Sequence, residues 1–343
     1  MAESAPPFTV GMVGAGSIAR VHLSSWLSLG VRVLVYAPHD PAPLLSEVGG
    51  GEAVGSLDEL LSRVDAVDVV TPTTSHAEVV RAAAAAGRHV LCEKPFALTS
   101  AEAEGMIAAC ADAGVQLYPA HVVRYFPEYV TMHDAVTAGK IGEIAVQRFT
   151  RAGSRPVREW YLDDALSGGI VIDQSIHDLD FARWNAGEVA TVFARDTGSD
   201  PAVPVRSCQV ILTHTSGAIS YVNGTWARPG TKFRTTFQIA GTGGLLQHDS
   251  AEHRPLVVDG GRADEAGTGL LPDISLGESP YLTEIREFHA AFTRNEPTRV
   301  TADDGLAAVR IAEAAAESIR TGQPVRLAAG TTTAPTPAEE ATR

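Results

Sequence analysis

The chain has 343 residues, of which 45% are apolar, 20% charged and 6% aromatic; this is a globular composition with room for about two domains. Its 27 basic and 41 acidic side chains leave a net charge of −14, which argues against nucleic acid or an anionic membrane as a partner. Cys92, Cys110 and Cys208 show no metal-ligand spacing, and no apolar run reaches about 18 residues, so a disulfide framework, a metal centre and a membrane span are not expected.

Residues 1–7 are small and polar and read as a flexible start, with no signal-peptide pattern, so a cytoplasmic protein is expected. Residues 9–13 predict a strand, followed by a glycine turn and an amphipathic helix to about residue 29. Residues 31–36 predict the next strand. Ser56 with Glu59 reads as a capping box that opens a short helix, and residues 66–70 as a third clear strand. Ser75 with Glu78 forms a second box before an alanine-rich helix that stops at Gly87. A strand then ends at Glu93, Thr99 with Glu102 opens a helix ending at Gly114, and residues 115–118 form another strand. Strands that are apolar throughout and alternate with helices predict an α/β doubly wound parallel sheet covered on both faces, spanning residues 8–120.

Beyond residue 120 the pattern changes. Residues 143–150, 189–195 and 233–240 read as strands, and 208–213 with 218–226 as a hairpin turning at Thr215, Ser216 and Gly217. Their alternation suits antiparallel strands with one exposed face. Helices are expected near Ile170, near Tyr281 and from about residue 302 to 319. This second unit, α+β in character, covers residues 121–327, and residues 328–343 read as a disordered tail.

Gly14-Ala15-Gly16-Ser17-Ile18-Ala19 lies between the first strand and the first helix as G-x-G-x-x-A. The first glycine permits the turn, the second lets a pyrophosphate approach the backbone, and Ala19 lets helix pack on strand. Free N–H groups at the helix start would hold the phosphates of NAD or NADP. The usual acidic residue at the end of the second strand is missing. His39 and Asp40 arrive two to three residues late, as ribose ligands or plain turn residues, and no basic residue follows until Arg63, so the choice between NAD and NADP stays open.

Ligands of an open parallel sheet bind beyond the carboxyl ends of its strands. There the chain places the glycine turn, Thr71-Pro72 with His76, and Glu93-Lys94-Pro95. Only three lysines occur, and Lys94 is the one at such an edge. From the second unit, Asp173 and His177 are four apart and would share a helix face. An imidazole suits proton transfer near neutral pH, an ammonium favours a developing alkoxide, and a carboxylate can orient the substrate and stabilise the imidazolium. Together they suit hydride transfer from a secondary alcohol.

These motifs, with Arg124 in His121-Val122-Val123-Arg124-Tyr125-Phe126-Pro127 and Gly168-Gly169 ahead of Asp173-x-x-x-His177-Asp178, give the chain its resemblance. It resembles the Gfo/Idh/MocA family, the glucose–fructose oxidoreductase and inositol dehydrogenase-like oxidoreductases, over about residues 8–327. The resemblance implies a Rossmann domain and a C-terminal α+β domain with an open, mostly antiparallel sheet. It implies a sugar or cyclitol substrate, a homodimer or homotetramer, Lys94 as the family's catalytic lysine with a peptide to Pro95 that is often cis, His177 as acid/base and Asp173 as its partner. His121, Arg124, Arg155 and Trp160 are candidate substrate contacts, and no metal ligand set is found. Two alternatives stand beside the dehydrogenase: an NAD-retaining glycosidase of the same fold, and a nucleotide-binding regulator without turnover.

Overall fold

Every residue of β1 (Thr9–Val13) is buried, as expected for a central strand with both faces covered. The structure, a computed structural model, describes residues 8–198, 203, 205–251 and 278–328. Of the segments expected to be loose, residues 1–7 and all of 328–343 except Ala328 lie outside the described residues. After β1 come α1 (Ser17–Ser28), β2 (Arg32–Tyr36), α2 (Ala42–Val48), β3 (Glu52–Ala53), α3 (Leu57–Leu61) and β4 (Ala66–Val69). A 3-10 turn, Thr73–Ser75, leads into α4 (His76–Ala85), β5 (His89–Glu93), α5 (Ser100–Asp112) and β6 (Leu117–Ala120). The six strands are parallel in the order β3-β2-β1-β4-β5-β6, the doubly wound arrangement whose crevice lies over β1 and β4.

Local chemistry sets the helix starts. Ser56 accepts from the Glu59 N–H at 3.1 Å, while the Glu59 carboxylate takes the Gly55 N–H at 2.9 Å, one residue upstream of a reciprocal box. Thr99 accepts from the Glu102 N–H at 3.2 Å. Ser75 departs from expectation: its side chain makes no cap bond. It is already inside the 3-10 turn, with φ −97° and ψ −9°, and has lost the extended backbone that an N-cap needs.

The second half contains α6 (Pro127–Thr137), β7 (Ile144–Ser154), α7 (Glu159–Leu162), α8 (Asp164–Ser167), α9 (Ile176–Ala186) and β8 (Val189–Asp196). It continues with β9 (Arg206–His214), β10 (Ile219–Ala227), β11 (Arg234–Gly241), β12 (Gly244–Asp249), α10 (Pro280–Arg294), α11 (Ala302–Thr321) and β13 (Val325–Arg326). The sheet order is β12-β11-β7-β10-β9-β8-β13, antiparallel except for the parallel pair β7 and β10. Along β10 the buried positions alternate with more exposed ones: Ser220, Val222, Gly224 and Trp226 face the core, and Ile219 and Tyr221 face out. The expected hairpin is present; its first strand is longer, by two residues at the start and one at the end, and its second is shifted by one residue.

α10 returns to the first sheet. Ile285, Phe288 and Phe292 share a core with Val10, Met12, Leu23 and Trp26. α11 serves both layers: Leu306, Ala308 and Val309 pack under the parallel sheet, and Ile311, Ala312 and Ala315 under the mixed one. A full capping box between Thr301 and Asp304 starts that helix, with Asp304 in place of the usual Glu or Gln. The shared helix and the buried ion pair of Arg124 with Asp180, 2.6 and 2.8 Å, bring the rim of the parallel sheet against α9.

Candidate active site

The glycine turn is built to leave backbone exposed. Gly14 has φ +118°, and a Cβ there would lie 2.6 Å from the Val70 carbonyl oxygen, so only glycine fits. Its N–H donates to the Tyr36 carbonyl at 2.8 Å. Gly16 caps α1 without a side-chain bond, and the first turn carries no acidic residue. Ala19 is fully buried, Ser17 is exposed and Ile18 half-buried. The space where a Gly16 Cβ would stand is open, with Arg158 Nη1 the nearest atom at 3.8 Å. Free amides beside that space fit a dinucleotide pyrophosphate. Arg158, an exposed side chain from the loop before α7, also lies 3.4 Å from Ser17 Oγ. Sequence reasoning missed it, since a basic residue in a loop belongs to no periodic pattern.

The remaining rim residues divide. His39 and Asp40 are exposed, and Asp40 accepts from the Ala42 N–H at 2.9 Å as the turn opening α2. Pro72 is exposed and Thr71 half-buried. His76 is buried, with ring nitrogens 3.0 Å from the Thr71 and Pro95 carbonyl oxygens, so it ties the loops after β4 and β5 together. Burial lowers its pKa, leaving a neutral ring that donates to one of the two. Glu93 points inward. Its Oε1 lies 3.0 Å from His22 Nε2, and its Oε2 accepts from the Lys94 N–H at 2.8 Å. The far side of His22 meets Asp68 at 2.9 Å, and Trp26 donates to the same carboxylate at 2.7 Å. Burial opposes charge on His22, but Asp68 and Glu93 outweigh it and raise its pKa well above 6.5. An imidazolium between two carboxylates therefore holds the base of the Lys94 loop. None of His22, Asp68 or the neighbouring buried Glu284 was singled out from sequence; only Asp68 stands alone in an apolar stretch, and the other two lie in ordinary amphipathic helix sequence.

Lys94, whose peptide to Pro95 is cis, reaches across to the second half. Its Nζ donates to the Asp173 carbonyl oxygen at 2.9 Å and lies 3.5 Å from Asp173 Oδ1. Asp173 belongs to one wide π-helical turn, Val171–Ser175, that runs into α9, where an ordinary helix was expected. Gly168, at φ +74°, sets up the entry; a Cβ there would lie 2.5 Å from Ile172 Cβ. Asp173 and His177 nevertheless line one pocket, together with Lys94 and Gln174. Aromatic residues Phe126, Tyr129, Trp226, Phe233 and Tyr281 form much of the rest. Arg151 also borders the pocket, paired to Asp178 at 2.8 and 3.0 Å.

His177 has no hydrogen-bond partner among the described residues, and its Nδ1 is buried. Burial, then the positive charges of Lys94 and Arg151 and the nearby His121, push its pKa well below 6.5. The ring is neutral at physiological pH and able to take a proton.

Four candidate substrate contacts lie off the pocket wall. Arg124 is buried against Asp180 and donates to the Arg299 carbonyl at 2.9 Å. His121 is buried behind it, 3.7 Å from Asp180, with neither ring nitrogen hydrogen-bonded. Arg155 donates to the Val203 carbonyl at 3.0 Å, and Trp160 stacks on Tyr161. The motif that carries Arg124 is a junction between layers. Its neighbours Val122, Val123, Phe126, Glu128 and Tyr129, which no spacing rule singled out, border the pocket.

Comparison with known proteins agrees with the fold. Residues 8–121 match the oxidoreductase family with an NAD-binding Rossmann fold, and residues 129–247 match the GFO/IDH/MocA C-terminal domain. The rhizopine catabolism protein MocA of Rhizobium meliloti is 30% identical over 329 residues, covering 90% of this chain and 94% of that protein. The myo-inositol 2-dehydrogenase of Thermotoga maritima is 29% identical over 331 residues, covering 93% and 98%. The crystal structure of GenD2 from gentamicin A biosynthesis in complex with NAD superposes with a TM-score of 0.84 at 27% identity, over 96% of this chain and 98% of that one. The chain belongs to the Gfo/Idh/MocA family and is an NAD(P)-dependent oxidoreductase.

Proposed function

We propose that the protein oxidises, or forms, a secondary hydroxyl on a sugar, cyclitol or related polyol. The observation that carries this is the meeting of Lys94 Nζ, Asp173 and His177 in one aromatic-walled pocket beside the β5 rim. Aromatic faces suit the C–H surfaces of a ring, while the lysine, carboxylate and imidazole suit its hydroxyls. The nicotinamide, when bound, accepts or supplies the hydride. Gly14, Gly16 and the start of α1 would hold its pyrophosphate, with Arg158 adding positive charge from the second sheet's side. His177 takes the hydroxyl proton as hydride leaves, since its ring is neutral and unpartnered. Lys94 donates to the oxygen as negative charge grows on it. Asp173, by holding the ammonium, keeps it aimed at that oxygen.

The same reading divides the chain near residue 120 and has it assemble as a homodimer or homotetramer through the outer face of the mixed sheet. Ile219, Tyr221 and Leu245 are exposed there. Three free, buried cysteines support a cytoplasmic setting. Light scattering of the full chain tests the assembly.

A panel of polyols and aldoses, offered with NAD and with NADP and followed at the absorbance of the reduced nicotinamide, tests the activity. Reduction with at least one ring polyol is expected. Release of an aryl aglycone without net cofactor reduction would point to transient oxidation in its place.

A further inference from the structure

We propose that Glu128 receives a positively charged substituent of the substrate, so that the ring preferred by this pocket is an amino-substituted sugar or cyclitol. The inference rests on the assignment of the pocket to a ring polyol and names the class within it.

Among the described residues lining the pocket, each ionised group but one has its counter-ion in place. Lys94 faces Asp173, with Nζ 3.5 Å from Oδ1. Arg151 is held by both oxygens of Asp178. His177 is kept neutral by burial and by those cations. The remaining charge is Glu128, which makes no ion pair or hydrogen bond among the described residues. The chain's own groups therefore leave one uncompensated negative charge on a pocket wall.

The position of Glu128 on α6 explains part of this. A carboxylate in a helix's first turn is favoured by the free amides there. Yet Glu128 caps none of them, and the turn begins at Pro127, which already removes one donor. Glu128 is half-buried and lines the pocket together with Phe126 and Tyr129. Phe126 is edge-on to Tyr129 and to Tyr281, at centroid distances of 6.5 and 6.4 Å. An ammonium in this pocket is attracted twice, by ion pairing with the carboxylate and by cation–π contact with the aromatic rings of the same lining. A sugar acid meets the opposite field: both cations are already paired, and its carboxylate would approach Glu128 unshielded. A neutral hydroxyl gains only a hydrogen bond.

The experiment compares matched pairs on the full-length enzyme with its nicotinamide cofactor: glucose with glucosamine, and myo-inositol with a monoamino-inositol. The amine should be favoured in kcat/KM by about tenfold or more, carried mainly by KM, since the charge pair forms on binding. The preference should fade as pH rises above the pKa of the substrate amine. In Glu128→Gln the amine-to-hydroxyl ratio should drop about tenfold, while Glu128→Asp, which keeps the charge, should retain a preference for the amine. Cofactor binding by each variant confirms that it is folded. Equal or better use of the neutral partner by the wild type, or an unchanged ratio in Glu128→Gln, overturns the inference and leaves the dehydrogenase reading standing. Failure to oxidise every neutral and amino polyol with either dinucleotide removes the parent reading and this one with it.

Discussion

Lys94 and Asp173 lie 79 residues apart and come from the two halves of the molecule, yet the lysine Nζ reaches both the main-chain and the side-chain oxygen of the aspartate. The ammonium is thus held by two anchors, one of which survives changes to the carboxylate. Asp173→Asn should therefore lower kcat by about 10- to 100-fold and leave the lysine in place through the carbonyl. Steady-state kinetics on the best polyol checks this. A loss as large as that of removing Lys94 itself would mean that the carboxylate does more than orient.

His177 carries a lowered pKa, so its basic form persists to acid pH. For an oxidation that needs the neutral ring, the rate should be level across pH 6.5 to about 8 and fall only below about 6.5. His177→Ala should lose most of the rate, and what remains should lack that acid limb. A wild-type profile that bends between pH 7 and 8 would assign the proton transfer to another group.

Glu284 is fully buried on α10, and neither carboxyl oxygen has a hydrogen-bond partner among the described residues. Burial, reinforced by Glu93 and Asp68 and opposed by His22, raises its pKa well above 4.5. The folded chain keeps this proton longer than the unfolded chain does. Its stabilising effect is full below about pH 4.5 and is lost as pH rises toward the folded-state value. Glu284→Gln keeps the shape and removes the titration. Its Tm should gain on the wild type between pH 5 and about 8. Parallel curves from thermal unfolding would show that Glu284 does not hold the proton.

Gly14→Ala forces a Cβ to 2.6 Å from a backbone oxygen at a positive φ. The turn must shift, at a cost of about 1–3 kcal/mol. Dinucleotide affinity should fall at least tenfold, as read by titration of the reduced cofactor's fluorescence. Wild-type affinity would mean that the phosphates do not rest on this turn.

Much of the first sheet could be read directly. Strands buried on both faces are apolar at nearly every position, and Gly14 and Gly16 sit where a strand meets a helix. Lys94, Asp173 and His177 could be placed together because strand ends of a parallel sheet share one edge and because i, i+4 residues share a face. The wide turn at Val171–Ser175 left no mark in the sequence, since it changes spacing by one residue without changing residue type. Arg124 was misleading for a physical reason: an arginine near a site is as useful for pinning two layers through Asp180 as for touching substrate. His22 and Glu284 were silent because a buried polar residue declares its partners only when distant segments pack. α6 carried the Pro127 start signal, but its short apolar face gives a weak period.

The most direct test of the proposed chemistry is hydride transfer by Lys94→Ala in a single turnover with a ring polyol, followed as reduced nicotinamide. Stabilisation of the alkoxide by Lys94 predicts a rate lower by about a thousandfold with cofactor affinity within a few fold of wild type. A Lys94→Ala enzyme that reduces the cofactor at the wild-type rate would contradict it.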